Sequence, residues 1–176
     1  MLKLTTEDIA LIIVMASIFA AASLITAPIS VGIYSMEFRF HSMLPAVFAI
    51  LFGVWQACIG VTLAENIWVL LIGWWIPIGA WGSFGTAING LIPGVLVRNP
   101  KDWKQITFWA IVGQIVGDLV VAYNMAWLGF APFEVAFITL SLNNIPVTAI
   151  GTPILVRLLL PRVRAMGLYR GKPIKE

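Results

Sequence analysis

Long apolar runs separated by short polar connections dominate the chain. A helix needs about 20 mostly apolar residues to cross the hydrocarbon core of a bilayer. Residues 9–27 form the first such run, opened by Thr6, Glu7 and Asp8 as helix-start residues and ended by Pro28. Residues 28–41 make a polar, aromatic connection. Residues 42–76 are continuously apolar, too long for a single span at about 1.5 Å per residue. A division near Gly53–Gln56 gives a short second span, 42–53, and a third, 56–76. The Gly- and Trp-rich stretch Gly73–Gly85 reads as a loop in the aromatic interface belt. A short fourth span follows at 85–97, then the polar loop Arg98–Gln105, a fifth span at 106–127 and the uncharged turn Leu128–Phe133. The sixth span, 134–160, is expected to break at Pro146 and Pro153. The predicted fold is an all-α integral membrane bundle of six transmembrane helices, one domain over residues 1–176.

Charge orients this bundle. Lys3 opens the chain. Arg98, Lys101 and Lys104 share the central loop, and Arg157, Arg162, Arg164, Arg170, Lys172 and Lys175 close the chain. Arg39 alone falls elsewhere. Lys and Arg concentrate on the cytoplasmic side, so both termini and the central loop are expected there, with an even number of spans between them. The chain is 60% hydrophobic and 11% charged, against about 25% charged for a soluble domain. Its net charge of +3 comes from residues flanking apolar spans, which suits lipid headgroups and not nucleic acid. The single Cys58 excludes an internal disulfide. A cleaved leader is not expected, because Glu7 and Asp8 precede the first apolar run.

No phosphate-binding loop, zinc-protease helix or nucleophile elbow occurs in the sequence, so neither an ATP motor nor an enzyme is expected. No cofactor is implied. His41, the one histidine, reads first as an interfacial hydrogen-bonding group. Ionisable residues at membrane depth carry more information, because they are costly unless they face a cavity or a partner. Glu65 lies deep in the third span and Asp118 in the outer half of the fifth. Asn89, Asn124, Asn143 and Asn144 fall in outer halves under the same topology. Together with Asp118 they read as a polar pocket lining, against the plainer role of fixing helix packing. Glu65 is expected to matter as much for folding as for binding. Trp68, Trp74, Trp75, Trp81 and Trp127 read mostly as belt residues, with one or two available to stack on a flat ligand. In the first outer connection Tyr34 and Arg39 are candidate ligand contacts; Arg39 either pairs with Glu37 or clamps an anionic or carbonyl group. Ala16 and Ala20, four apart in the first span, form a small-residue face that lets another helix approach. That helix belongs either to a partner protein, the favoured reading, or to the bundle itself.

Six short spans, the Ala16-x-x-x-Ala20 first span, the turn LFGVWQACIG, the segments GLIPGVLVR and NNIPVTAIG, and the basic tail together resemble the substrate-binding S component of energy-coupling factor (ECF) transporters. The resemblance covers most of the chain through diffuse motifs. It implies a six-helix fold in a prokaryotic plasma membrane, with a pocket near the outer face for a vitamin-like or heteroaromatic micronutrient. The first outer loop and the loop before the fourth span would close that pocket. It also implies a separate transmembrane T component and two ATPase subunits as partners, with the face at Ala16 and Ala20 as the docking surface. Nickel and cobalt members begin with a Met-His segment; this chain begins Met-Leu-Lys, which disfavours a metal substrate.

Two other readings compete. A stand-alone proton-coupled carrier would use Glu65 or Asp118 as its coupling carboxylate. A structural six-helix membrane protein would bind no small molecule tightly.

Overall fold

The computed structural model describes residues 4–26, 39–71 and 76–173; of residues 76–79 the backbone alone is described. Among these residues there are six α-helices: α1 (Thr6–Thr26), α2 (Leu44–Phe52), α3 (Val54–Leu71), α4 (Ile76–Leu96), α5 (Trp103–Trp127) and α6 (Phe133–Ala165). A 3-10 turn, Phe40–Met43, leads into α2. Four of the helices, α1, α3, α5 and α6, are long and apolar enough to cross a membrane. Large apolar side chains stay exposed along them, among them Ile25, Leu70, Leu142 and Leu158 at 63% or more, which suits hydrocarbon and not water.

The division of the long apolar stretch falls at Gly53, whose φ of +103° lies in a region that side chains rarely adopt. Two expectations need correction. First, α4 begins at Ile76, so most of the Gly- and Trp-rich stretch is helix and the fourth helix is 21 residues long, not a short one after Gly85. Glycine weakens an isolated helix, but here glycines sit at helix crossings. A Cβ on Gly85 would meet the Val121 side chain at 2.6 Å and Gly117 O at 3.0 Å; one on Gly90 would meet Pro45 O at 3.0 Å. Close packing that only glycine permits outweighs the lost propensity. Second, α6 runs unbroken through Pro146, Pro153 and Pro161 for 33 residues. Proline removes the hydrogen bond to the carbonyl four residues back. For Pro153 that carbonyl is Ala149 O, and Thr107 Oγ1 of α5 donates to it at 3.4 Å. A neighbouring hydroxyl thus takes over the freed acceptor.

Helices α1 and α3 run parallel. Asp8 Oδ1 accepts from Gln56 Nε2 at 2.9 Å near their starts, and a Cβ on Gly60 would lie 3.2 Å from Ile12 O. Leu11, Met15, Phe19, Phe48, Ala57 and Val61 bury the α1–α2–α3 seam. Val47, Leu51, Ile106, Val156 and Leu160 bury the α2–α5–α6 seam. The start of α1, the 97–102 loop and the C-terminal tail meet at one end of the bundle. There Arg170 pairs with Glu7 at 2.6 Å, the Arg170 backbone N–H donates to Leu51 O at 3.0 Å, and Lys172 Nζ donates to Val95 O. Asp102 caps α5 by accepting from the Lys104 and Gln105 backbone N–H groups.

Candidate functional site

The interior is polar in the half of the bundle away from the termini. On α5, Gln114 and Asp118 stand four residues apart, hence on one face. Gln114 Nε2 donates to Asp118 Oδ1 at 2.9 Å, and from α6 Asn144 Nδ2 donates to the same oxygen at 2.9 Å. One turn further along α6, Thr148 Oγ1 donates to Gln114 Oε1 at 3.0 Å. Ser42 of the 3-10 turn closes the group, its Oγ lying 3.3 Å from Thr148 Oγ1 and 3.4 Å from Asn144 O. From α4, Asn89 directs its amide nitrogen to Gly113 O at 2.9 Å and Gly85 O at 3.2 Å, and its oxygen accepts from Gln114 Nε2 at 3.2 Å. Gly117 makes room for that amide, since a Cβ there would overlap it. Four elements thus share one network around Asp118, which is 2% exposed.

A second polar group adjoins the first through the 3-10 turn. Arg39 Nη2 pairs with Glu65 Oε1 at 2.7 Å, with both side chains largely buried. Arg39 Nε also donates to His41 Nε2 at 3.3 Å. A guanidinium has no acceptor, so Nε2 carries no proton and the ring is neutral with its hydrogen on Nδ1. That hydrogen faces Thr26 Oγ1 at 3.1 Å, and the edge of the ring packs against Phe19 at 5.0 Å between centroids. Arg39 lies within electrostatic range of the Asp118 carboxylate, and Ser141 lies close to it.

Hydrogen bonding in this region is incomplete. Among the described residues, Glu65 Oε2, Asp118 Oδ2, Asn144 Oδ1, Asn143 Nδ2 and Ser141 Oγ are buried without a partner. Buried polar atoms are paired in the great majority of cases, so several orphans in one region ask for an explanation.

The expected site residues therefore divide. Asn89, Asp118 and Asn144 belong to one network, and Asn143 is buried beside it. Asn124 does not: its Nδ2 donates to Val120 O of its own helix at 2.7 Å. It lines a separate groove of about 640 Å³ with Trp81, Phe84, Tyr123 and Trp127. Arg39 is engaged by Glu65, so Glu65 is an ion-pair partner and more than a packing group. Tyr34 and Glu37 lie outside the described residues, as do Trp74 and Trp75. Trp81 and Trp127 are exposed as belt residues would be, whereas Trp68 is 3% exposed, one turn from Glu65. The small-residue face lies partly inside the bundle. Ala16 is buried and packs against α3, where its backbone nitrogen would lie 3.7 Å from a Cβ on Gly60; Ala20 is half-buried against the same core. The helix that approaches Ala16 belongs to this chain. Ser17 and Ala21, also four apart, are exposed small residues of α1, as is Ala10 nearer its start.

Gln114, Ser42 and Thr148 were not among the sequence candidates. One signal could have found Gln114 and Thr148: each stands four residues from a candidate, Asp118 or Asn144, on the same helix face.

Compared with known proteins, the sequence matches no family model, and no curated protein shows significant similarity to it.

Proposed function

We propose that this chain is a membrane-embedded substrate-binding subunit of the ECF type, taking up a small vitamin-like or heteroaromatic micronutrient with a T component and two ATPases. One observation carries the reading: a buried carboxylate, Asp118, is held by α5 and α6 side chains within a network that reaches α4 and the 3-10 turn, and one of its oxygens has no hydrogen-bond partner among the described residues. A group that only fixed packing would be expected to satisfy both oxygens, since each buried unpaired acceptor costs about 1–3 kcal/mol. The site lies away from the end where the tail, the 97–102 loop and the start of α1 meet. With that basic end in the cytoplasm, it faces outward. The same orientation gives six crossings, with α2 and α4 completing the four long helices. The exposed apolar strip of α1 around Ser17 and Ala21 is the surface offered to a T component.

Co-expression tests the reading. The chain should co-purify with a T component and the ATPases, and uptake should require ATP hydrolysis. Uptake by the chain alone that collapses with an uncoupler would replace this reading with the proton-coupled carrier. Absence of any small-molecule binding would leave a structural role.

A further inference from the structure

The orphaned atoms around Asp118 are mostly acceptors, and the charges beside them do not cancel. Asp118 Oδ2, Asn144 Oδ1 and Glu65 Oε2 each lack a donor among the described residues. All three side chains are at least nine-tenths buried, at 2%, 1% and 2% exposed. Arg39 is paired with Glu65, which neutralises both. His41 is neutral, because its Nε2 accepts from Arg39. Asp118 makes no ion pair among the described residues, and its neighbours Gln114 and Asn144 are uncharged donors. Among the described residues the region therefore sums to one negative charge, with the free acceptors of Asp118 and Asn144 one hydrogen bond apart on α5 and α6. An uncompensated buried charge is expensive, and a site with free acceptors selects ligands that bring donors.

Resting on the substrate-binding reading above, we propose that this site takes a small cation rich in N–H donors: an amidine, a guanidine or an amino-substituted nitrogen heterocycle. Its donors sit on Asp118 Oδ2 and Asn144 Oδ1. Two N–H groups on one carbon match a carboxylate oxygen and an adjacent amide oxygen, and the positive charge balances Asp118. Asn143 Nδ2, an orphaned donor nearby, can meet an acceptor on the far side of the same ring, while Ser141 stays beside the Asp118 carboxylate. Arg39 is not available as an anion clamp, because Glu65 holds it. A carboxylate ligand would face Asp118 with no opposing charge to offset the repulsion.

A matched pair of probes tests this: benzamidine, a cation with N–H donors, and benzoate, an anion of the same shape without them. Binding to the full chain in lipid nanodiscs is measured by calorimetry. Benzamidine should bind in preference to benzoate, and Asp118→Asn should weaken benzamidine at least about tenfold, the loss expected for a charged hydrogen bond. Equal binding of the two probes, preference for benzoate, or binding of neither overturns the proposal. These outcomes use the unaltered chain, so they do not depend on the variant's stability. A folded Asp118→Asn that binds benzamidine like the parent also overturns it. The transport reading fails separately, through absent association with the ATPases, and that result would leave the ligand class standing.

Discussion

Arg39 and Glu65 show how a single pairing changes the meaning of two residues. Each alone reads as a costly charge near the membrane. Together, 2.7 Å apart, they neutralise each other and anchor the 3-10 turn to α3. Removing one partner should cost more than removing both. Arg39→Met leaves Glu65 buried and unpaired, and is expected to destabilise the fold by about 3–5 kcal/mol, whereas Arg39→Met with Glu65→Gln should recover most of that loss. Thermal unfolding in detergent of the parent, the single and the double variant measures it; equal loss in both variants would place the pair's role outside stability. At this scale the sequence was legible where a titratable or amide side chain interrupts an apolar run, as at Asp118 and Asn144. It was not legible for Ser42 and Thr148, because hydroxyls are ordinary in apolar helices and only tertiary contact marks these two. Asn124 stands apart from the Asp118 network for a geometric reason. It lies roughly 240° around α5 from Asp118 at 3.6 residues per turn, so it cannot share that face.

Helix crossings depend on backbone closeness that side-chain patterning does not reveal. The α4–α5 crossing is set by Gly85, Gly113 and Gly117, and the Asn89 amide is threaded between the helices. Gly117→Ala should therefore separate α4 from α5 and displace Asn89, with a loss of about 1–3 kcal/mol from overpacking. Gly129→Ala is a different case: a Cβ there meets nothing within 4 Å but the residue has φ +76°, so its cost comes from backbone strain alone, about 1 kcal/mol. Unfolding of the two variants, with ligand binding measured alongside, separates them; only Gly117→Ala should impair the site. The α1 helix carries a second contrast. Ala16→Trp forces a ring into the α1–α3 seam and should disrupt folding, while Ala21→Trp points outward and should leave the chain folded but unable to hold a T component. Intact, partner-competent protein from both variants would remove that face from the docking proposal. The Ala16–Ala20 spacing was legible as a close-approach face, but which helix approaches is decided by the fold.

The described residues gather the start of α1 and the basic tail at one end of the bundle and the Asp118 network toward the other. Contacts of Arg170 with Glu7 and Leu51 O, and of Lys172 with Val95 O, place the tail beside the start of α1 and the end of α4. Reporter fusions after Gln105 and at the C-terminus should read as cytoplasmic, and fusions near Ser35 and Phe130 as external. An externally accessible C-terminus would reverse the bundle and turn Asp118 toward the cytoplasm. The all-helical, largely apolar character of the bundle was readable from the sequence, since hydropathy acts locally. The lengths of α4 and α6 were not. Glycine and proline stop isolated helices, but in a bundle neighbouring helices fill the gaps and take up the freed carbonyls.

The central claim is that Asp118 and its partners bind a small molecule, and native mass spectrometry of the chain purified from its own membrane tests it most directly. One small-molecule mass should be retained on the parent and on Asn124→Ala, and lost from folded Asp118→Asn. Retention by Asp118→Asn equal to the parent, or no small molecule on any of the three, would contradict it.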